Sequence, residues 1–346
     1  MMGWCVFRIF SLLAILFVGT ALADSGEFDM SRWSSIMDDI RVHAAEQKIS
    51  ESMIEDTLRS PAFIPSIVKS DKNQSEFKLT LDSYLARTVK SDRISKGRRM
   101  RTKYDSMLNH VENTYGVQPH VILAFWGMES NYGEVKSRHR LIDAFFTLIY
   151  DGRREKFFSE QLLALMKIAD KNSLDINKMR GSWAGAMGHF QFIPTTLETY
   201  GVDGDGEKKV DIINNVSDAM ASAGNYLSKL GWNKNEKIAR RVILPADFDT
   251  SLLDGKTKKT LNEWAKMGVL NPDGTEIPHG EMVAGLVADV ANLPDAIPAD
   301  ENPDTDIAPM PVITAYLTYP NFYRIKKWNN SNWYAIAISE LADKLK

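Results

Sequence analysis

The amino-acid sequence predicts a mainly α fold with a smaller α+β part. Three observations carry that reading. Apolar residues recur at helical spacing through residues 31 to 115, as in Trp33, Ile36, Met37 and Ile40 and again in Met107, Val111 and Tyr115. A long apolar stretch, Ile122-Leu123-Ala124-Phe125-Trp126, then runs straight into Glu129. Strand-like runs come only after about residue 235, in Arg241-Val242-Ile243-Leu244 and Val312-Ile313-Thr314-Ala315-Tyr316.

The first residues read as an export signal. Arg8 precedes the apolar run Ile9 to Val18, and Ala21-Leu22-Ala23 fits the small-x-small rule for cleavage. The expected signal peptide is 1–23, with the mature chain beginning at Asp24 and no stable membrane span after cleavage. A membrane anchor is the alternative, but the run is short for a span. Cys5 is the only cysteine and would leave with the signal, so stability must come from packing rather than disulfides. A chain of 346 residues can bury a core in more than one lobe. A net charge of -3 gives no sign of a nucleic-acid binder.

Along the chain, residues 24–115 form the expected N-terminal helical lobe. Within it Lys90 to Lys103 is basic; a solvated helix face explains this, and so would attraction to a partly anionic polymer. Gly116-Val117-Gln118-Pro119 breaks the chain, and Pro119 suits the first turn of the helix that carries Glu129. Further helices are expected over Arg153 to Ala169, from near Thr195 after Pro194, and over Ser217 to Leu230 with Gly231 as the stop. Residues 116–234 make the core, 235–318 a small α+β insertion with a Pro294 to Pro311 loop, and 319–346 a return to the core.

The chemistry concentrates around Glu129. Phe125 and Trp126 lie one turn earlier and should share its face. A carboxyl pressed against rings loses hydration, its pKa rises, and it can then give a proton to a leaving oxygen. A merely solvated helix-end Glu is the bland alternative. Three mixtures of aromatic, glycine and amide residues accompany it: one after Glu129, one over Arg180 to Thr195, and one over Tyr323 to Tyr334. Such mixtures suit carbohydrate, because rings cover the apolar faces of sugars while amides and hydroxyls pair with their polar groups.

These motifs resemble those of the lytic murein transglycosylase B family, a branch of the lysozyme-like glycosidases. The resemblance rests on Met128-Glu129-Ser130-Asn131-Tyr132-Gly133, on Gly181-Ser182-Trp183-Ala184-Gly185-Ala186-Met187-Gly188 with Gln191-Phe192-Ile193-Pro194, on Asn225-Tyr226-Leu227 with Gly231-Trp232, and on Asn329, Ser331 and Tyr334-Ala335. It implies a lysozyme-like helical catalytic core at 116–234 and cleavage of the β-1,4 bond between N-acetylmuramic acid and N-acetylglucosamine. It implies 1,6-anhydromuramic ends, peptidoglycan glycan strands as partner, a periplasmic monomer and no required cofactor. Glu129 would be the single acid/base. Tyr84, Ser182, Gln191, Tyr226, Asn329 and Tyr334 would line the cleft. Trp328 stands where the family often has Tyr, so a hydrogen bond from that position is not carried over.

An ordinary glycosidase needs two carboxylates. The motifs offer no second: Glu134 and Asp143 lie near in sequence without an aromatic setting, and Asp143 reads as a structural partner or cap. The acidic run Asp203, Asp205, Glu207 and Asp211 is a candidate structural Ca²⁺ loop, with Asp218 as a further ligand. It lacks Gly at the sixth position and has Asn214 at the twelfth, so a polar turn is the competing reading. His139 reads as a surface residue, whereas His189 either packs or touches substrate. Without Cys/His spacing a zinc site is not expected.

Overall fold

The computed structural model describes residues 28–73, 79–135, 137–292 and 313–346. The expected export segment and the Pro294 to Pro311 loop lie outside the described residues. The N-terminal part folds as α1 (Met30–Glu46), α2 (Glu51–Leu58), α3 (Pro65–Lys72), α4 (Leu81–Thr88), α5 (Ser91–Lys103) and α6 (Asp105–Tyr115). Asp29 starts α1 by accepting from the Ser31 and Arg32 amides, which satisfies donors left free at the helix end. The stripe Trp33, Ile36, Ile40 and Ala44 is buried.

α7 (Pro119–Ser130) follows, and Val121 to Gly127 are all buried. A helix apolar on every side belongs inside the protein, and α5, α6, α11 and α14 surround it. Two-residue strands β1 (His139–Arg140) and β2 (Arg180–Gly181) pair antiparallel across α8 (Leu141–Asp151) and α9 (Glu155–Asn172). The helix expected from Arg153 starts at Glu155 and runs on to Asn172. α8 had no sequence assignment; it is 11 residues long and mostly apolar, with a narrow polar face of Asp143, Tyr150 and Asp151. α10 (Pro194–Tyr200) and α11 (Val216–Lys229) complete the core.

The insertion holds β3 (Ala239–Leu244), β4 (Lys259–Thr260), α12 (Leu261–Lys266), β5 (Val283–Val287) and β6 (Ile313–Thr318). The strands form an antiparallel sheet in the order β3-β6-β5-β4, with Val242 opposite Ala315 and Gly285 opposite Thr318. Val242, Leu244, Trp264, Leu286, Ala315 and Leu317 make an apolar core of its own. α13 (Pro320–Trp328) and α14 (Asn332–Lys344) then lead back, and α14 packs on α7. The fold is therefore mainly α with a small α+β part, and the end of α7 meets the end of α13 and the start of α14.

Candidate active site

Glu129 lies in the last turn of α7, where the chain reverses. Asn131, Tyr132 and Gly133 all take positive φ, at 50°, 62° and 81°. Left-handed backbone is costly for residues with a Cβ, so neighbours must hold the turn. Ser130 Oγ donates to the His189 carbonyl at 2.6 Å and accepts from the Gly133 amide at 2.9 Å. The Tyr132 hydroxyl donates to the Arg93 carbonyl at 3.0 Å. Gly133 cannot be replaced cheaply, because a Cβ there would stand 2.5 Å from the His189 ring. The turn therefore fixes the direction in which Glu129 points.

The Glu129 carboxyl has neutral neighbours. The Tyr334 hydroxyl donates to Oε1. Burial pushes the carboxyl up from 4.5 to about 7, and hydrogen bonds from Tyr334 and, more weakly, the Trp328 side chain oppose that rise. Desolvation disfavours the charged form and wins here over two donors. Tyr334 is itself raised well above its ordinary range, by burial and then by Glu129, so it stays a hydroxyl donor. Ser331 caps α14 through the Tyr334 amide, which places Tyr334 in the first turn facing α7.

Trp328 ties the motifs together. Its ring lies 4.7 Å from Phe125 of α7, 5.1 Å from Phe192 and 6.4 Å from Phe190 of the 180–195 segment, and 5.1 Å from Tyr226 of α11. Phe125 also meets Tyr334 at 6.2 Å, so it belongs to the Glu129 wall as expected. Trp126 belongs instead to a ring group with Tyr104, Tyr132, His189 and Phe190. The sequence reading placed no hydrogen bond at Trp328. The Trp328 side chain nonetheless opposes the rise at Glu129, and no local pattern could reveal it, because the two residues lie on helices far apart in sequence.

The other expected cleft residues are placed as follows. Tyr84, on α4, lies near enough to Tyr334 and Arg93 to couple to both. Tyr226 stacks on Tyr200 at 4.5 Å and donates to the Lys327 carbonyl at 3.3 Å. The Ser182 hydroxyl accepts from the Ala184 and Ala186 amides at 3.3 and 3.0 Å, and Gln191 donates to the Gly188 carbonyl at 2.8 Å. Asn329 ends α13 and is exposed. Among the described residues none of Ser182, Gln191 and Asn329 bonds to Glu129; the first two shape the loop that carries Phe190 and Phe192. His189 is half-buried and its Nδ1 accepts from the Trp126 indole at 3.0 Å, which leaves the proton on Nε2. That is packing rather than presentation to a ligand.

The acids near Glu129 in sequence do not face it. Asp143 binds Arg140 through both oxygens and accepts from the Ala62 amide at 2.9 Å, a structural role. Glu134 points outward to Lys96 at 2.6 Å. In the acidic loop, carboxylate oxygens of Asp203, Asp205 and Asp218 lie within 4.8 Å of one another. Glu207 and Asp211, expected as ligands from alternating positions, fall outside that group. Asp211 is taken up in capping Ile213 and Asn214. Asp218 enters because the first turn of α11 folds back over the loop, where it accepts from the Gly204 and Asp211 amides, each at 2.7 Å. A hollow of about 570 Å³ between the ends of α1, α9 and α10 includes neither Glu129 nor the acids of the loop in its lining; its Lys167 and Glu198 pair with each other.

Comparison with known proteins agrees with the geometry. Residues 32–343 match the family model described as Transglycosylase SLT domain. Membrane-bound lytic murein transglycosylase B of Escherichia coli K12 is 28% identical over 263 residues, which take in 75% of this chain and 65% of that protein, just under two thirds. SltB3 of Pseudomonas aeruginosa, solved with NAG-NAM-pentapeptide, superposes with a TM-score of 0.81 at 34% identity, covering 90% of this chain and 79% of that one. Its complex with NAG-anhNAM-pentapeptide gives 0.80 at 35% identity over the same shares. The Escherichia coli lytic transglycosylase SLT35 in complex with calcium shares the fold, with a TM-score of 0.73 at 24% identity over 91% and 92% of the two chains. A match over nearly the whole described chain, joined to a helix-end glutamate held by neutral donors, leads to one assignment: the chain belongs to the transglycosylase SLT domain family.

Proposed function

We propose that this protein is a lytic murein transglycosylase. It cuts the β-1,4 bond between N-acetylmuramic acid and N-acetylglucosamine in peptidoglycan and leaves a 1,6-anhydromuramic end. The observation that carries this reading is Glu129, a carboxyl pushed up to about 7 by burial, with neutral donors as its named partners. Protonated near neutrality, it gives its proton to the glycosidic oxygen as the bond to the anomeric carbon breaks. The carboxylate that results takes the proton from the C6 hydroxyl, whose oxygen attacks the same carbon and closes the ring. No water is consumed. The nucleophile belongs to the sugar already bound, so its effective concentration is high and no second carboxylate is needed. The ring wall of Phe125, Trp328 and Tyr334 limits water at the carboxyl.

The complexes of SltB3 with NAG-NAM-pentapeptide and NAG-anhNAM-pentapeptide support both substrate and product. Export to the periplasm fits that substrate, and among the described residues no helix is long and apolar enough to cross a membrane. A structural calcium ion, held by hard oxygens of Asp203, Asp205 and Asp218, is part of the same reading. Burial and the neighbouring Asp205 and Asp203 raise Asp218, a repulsion that a cation would relieve. Calcium titration should therefore raise the melting temperature; an unchanged melting curve would remove the ion from the account. Mass spectrometry of digested glycan tests the reaction. Anhydro ends support it, reducing ends would make the protein a hydrolytic muramidase, and intact glycan would make it a binding module.

A further inference from the structure

α5 carries Arg93, Lys96, Arg98, Arg99, Arg101 and Lys103. The sequence allows two readings of this basic run, a solvated face or attraction to an anionic polymer. Neither fits Lys96. Its side chain is only 13% exposed, and α5 packs on α7. The Lys96 ammonium donates to the Asn131 carbonyl at 2.7 Å and pairs with Glu134 Oε1 at 2.6 Å. Glu134 Oε2 accepts from the Asn131 side-chain amide at 2.7 Å. Lysine, glutamate and asparagine thus close a ring of bonds around the residue two places after Glu129. Lys96 and, more weakly, Asn131 hold the Glu134 carboxyl below its usual range, so it stays charged and keeps the lysine in place.

Tyr132 wedges between the same two helices. Its hydroxyl reaches the Arg93 carbonyl of α5, and the Lys96 ammonium lies 5.6 Å from its ring centroid. Gly97 of α5 and Gly127 of α7 leave the room; a Cβ on either would strike the Tyr132 hydroxyl. Asn131 and Tyr132 carry side chains on left-handed backbone, which persists only when neighbours over-determine it. His189 holds one side of this turn through Ser130. On the other side the hold comes from α5. Stability does not account for it: Glu134 is exposed, and an ion pair with an exposed partner adds little to the fold. What Lys96 secures is one carbonyl of a strained turn.

We propose that Lys96, braced by Glu134, is a positioning residue for Glu129. It fixes the Asn131 carbonyl, and with it the turn that aims the carboxyl at the glycosidic bond. This rests on the murein reading above. Lys96 acts through the backbone: the side chains that bear on the Glu129 carboxyl are Tyr334 and Trp328, and neither touches the lysine.

Lys96→Met keeps the length and apolar bulk of the side chain and removes its donor and charge. On glycan strands kcat should fall about tenfold or more with KM within about twofold, as expected when a reacting group is misplaced by a fraction of an ångström. A loosened turn also admits water to Glu129, so its carboxyl should titrate below the wild-type value of about 7, read by carbon NMR of labelled glutamate side chains. A lower melting temperature with kcat and titration unchanged would make Lys96 merely structural and overturn the proposal. Lys103→Met takes the same charge from the exposed end of α5; an equal effect there would assign the change to net charge and overturn it as well. Glu134→Ala, at an exposed position, should give a smaller change of the same kind, about threefold in kcat. It decides the matter if Lys96→Met does not fold, since unchanged kcat and titration there would refute the brace and the positioning role together. The titration needs no turnover. A downward shift in Lys96→Met therefore supports the positioning role even if the wild type cuts no glycan, an outcome that would remove the murein reading alone.

Discussion

Asp71 and Glu129, two carboxyls drawn away from solvent, serve opposite ends. Asp71, on α3, is 3% exposed and is gripped by Arg153 and Arg154 at the start of α9. Glu129 accepts from the Tyr334 hydroxyl, feels the Trp328 side chain, and has the Phe125 ring packed against Tyr334. Burial is common to both; the partners differ. Two guanidinium groups make Asp71 a paired ion that fastens the N-terminal helices to the core. Glu129 has neutral donors, too weak to offset desolvation, so it holds its proton near neutrality. Shielding alone does not make an acid catalyst. What sets Glu129 apart from Asp71 is shielding without a cation.

The strongest way to break the comparison is to exchange the acids for amides. Glu129→Gln should cut turnover by a factor of about 10²–10⁴, the usual worth of a general acid, while glycan binding persists. It should also stabilise the fold at pH 8 and not at pH 4. Glu129 has a folded value of about 7 against an ordinary 4.5, so between these the folded chain keeps a proton the unfolded chain has released. Stability therefore falls as pH rises from 4.5 to 7, and the amide escapes that loss. Thermal melts at both pH values check the sign. Asp71→Asn should do the reverse: it should lower stability by roughly 1–3 kcal/mol, less than for a fully buried pair because both arginines are half-exposed, and leave kcat within about twofold. Denaturant unfolding and single-turnover rates separate the two effects.

Smaller changes sharpen the picture at the donors. kcat/KM should fall as pH rises through about 7, where Glu129 loses its proton. Tyr334→Phe removes a bond that favours the charged form, so this limb should move to higher pH, with a loss of about tenfold in kcat. Trp328→Phe should move it the same way by less, and Trp328→Tyr should restore the wild-type limb. A limb that stays in place in both phenylalanine variants would show that neither donor acts on Glu129.

Much of the fold was legible because its helices keep a polar face. α1, α9, α11 and α14 declare themselves by period and caps. α8 was passed over although Asp143, Tyr150 and Asp151 give it a polar face, because that face is narrow in a short, mostly apolar helix. At the site, Glu129 and its neighbour Phe125 could be read from one helix. Tyr334 entered by resemblance, and the structure brings its hydroxyl to the carboxyl. Trp328 could not be read so, because its reach depends on where α13 ends. In the acidic loop Asp218 was named as a further ligand and α11 brings it to Asp203 and Asp205, whereas Glu207 and Asp211, suggested by alternating positions, fall outside that group. Neighbours along the chain are legible; partners supplied by another element are not.

The central claim is that Glu129 keeps its proton near pH 7 with no cation or second acid to aid it. Carbon NMR of protein labelled at the glutamate side-chain carboxyls, compared with Glu129→Gln to assign the signal, reads this directly. The account predicts one carboxyl titrating near 7, shifting upward in Tyr334→Phe. A Glu129 signal titrating near the ordinary 4.5 would contradict it.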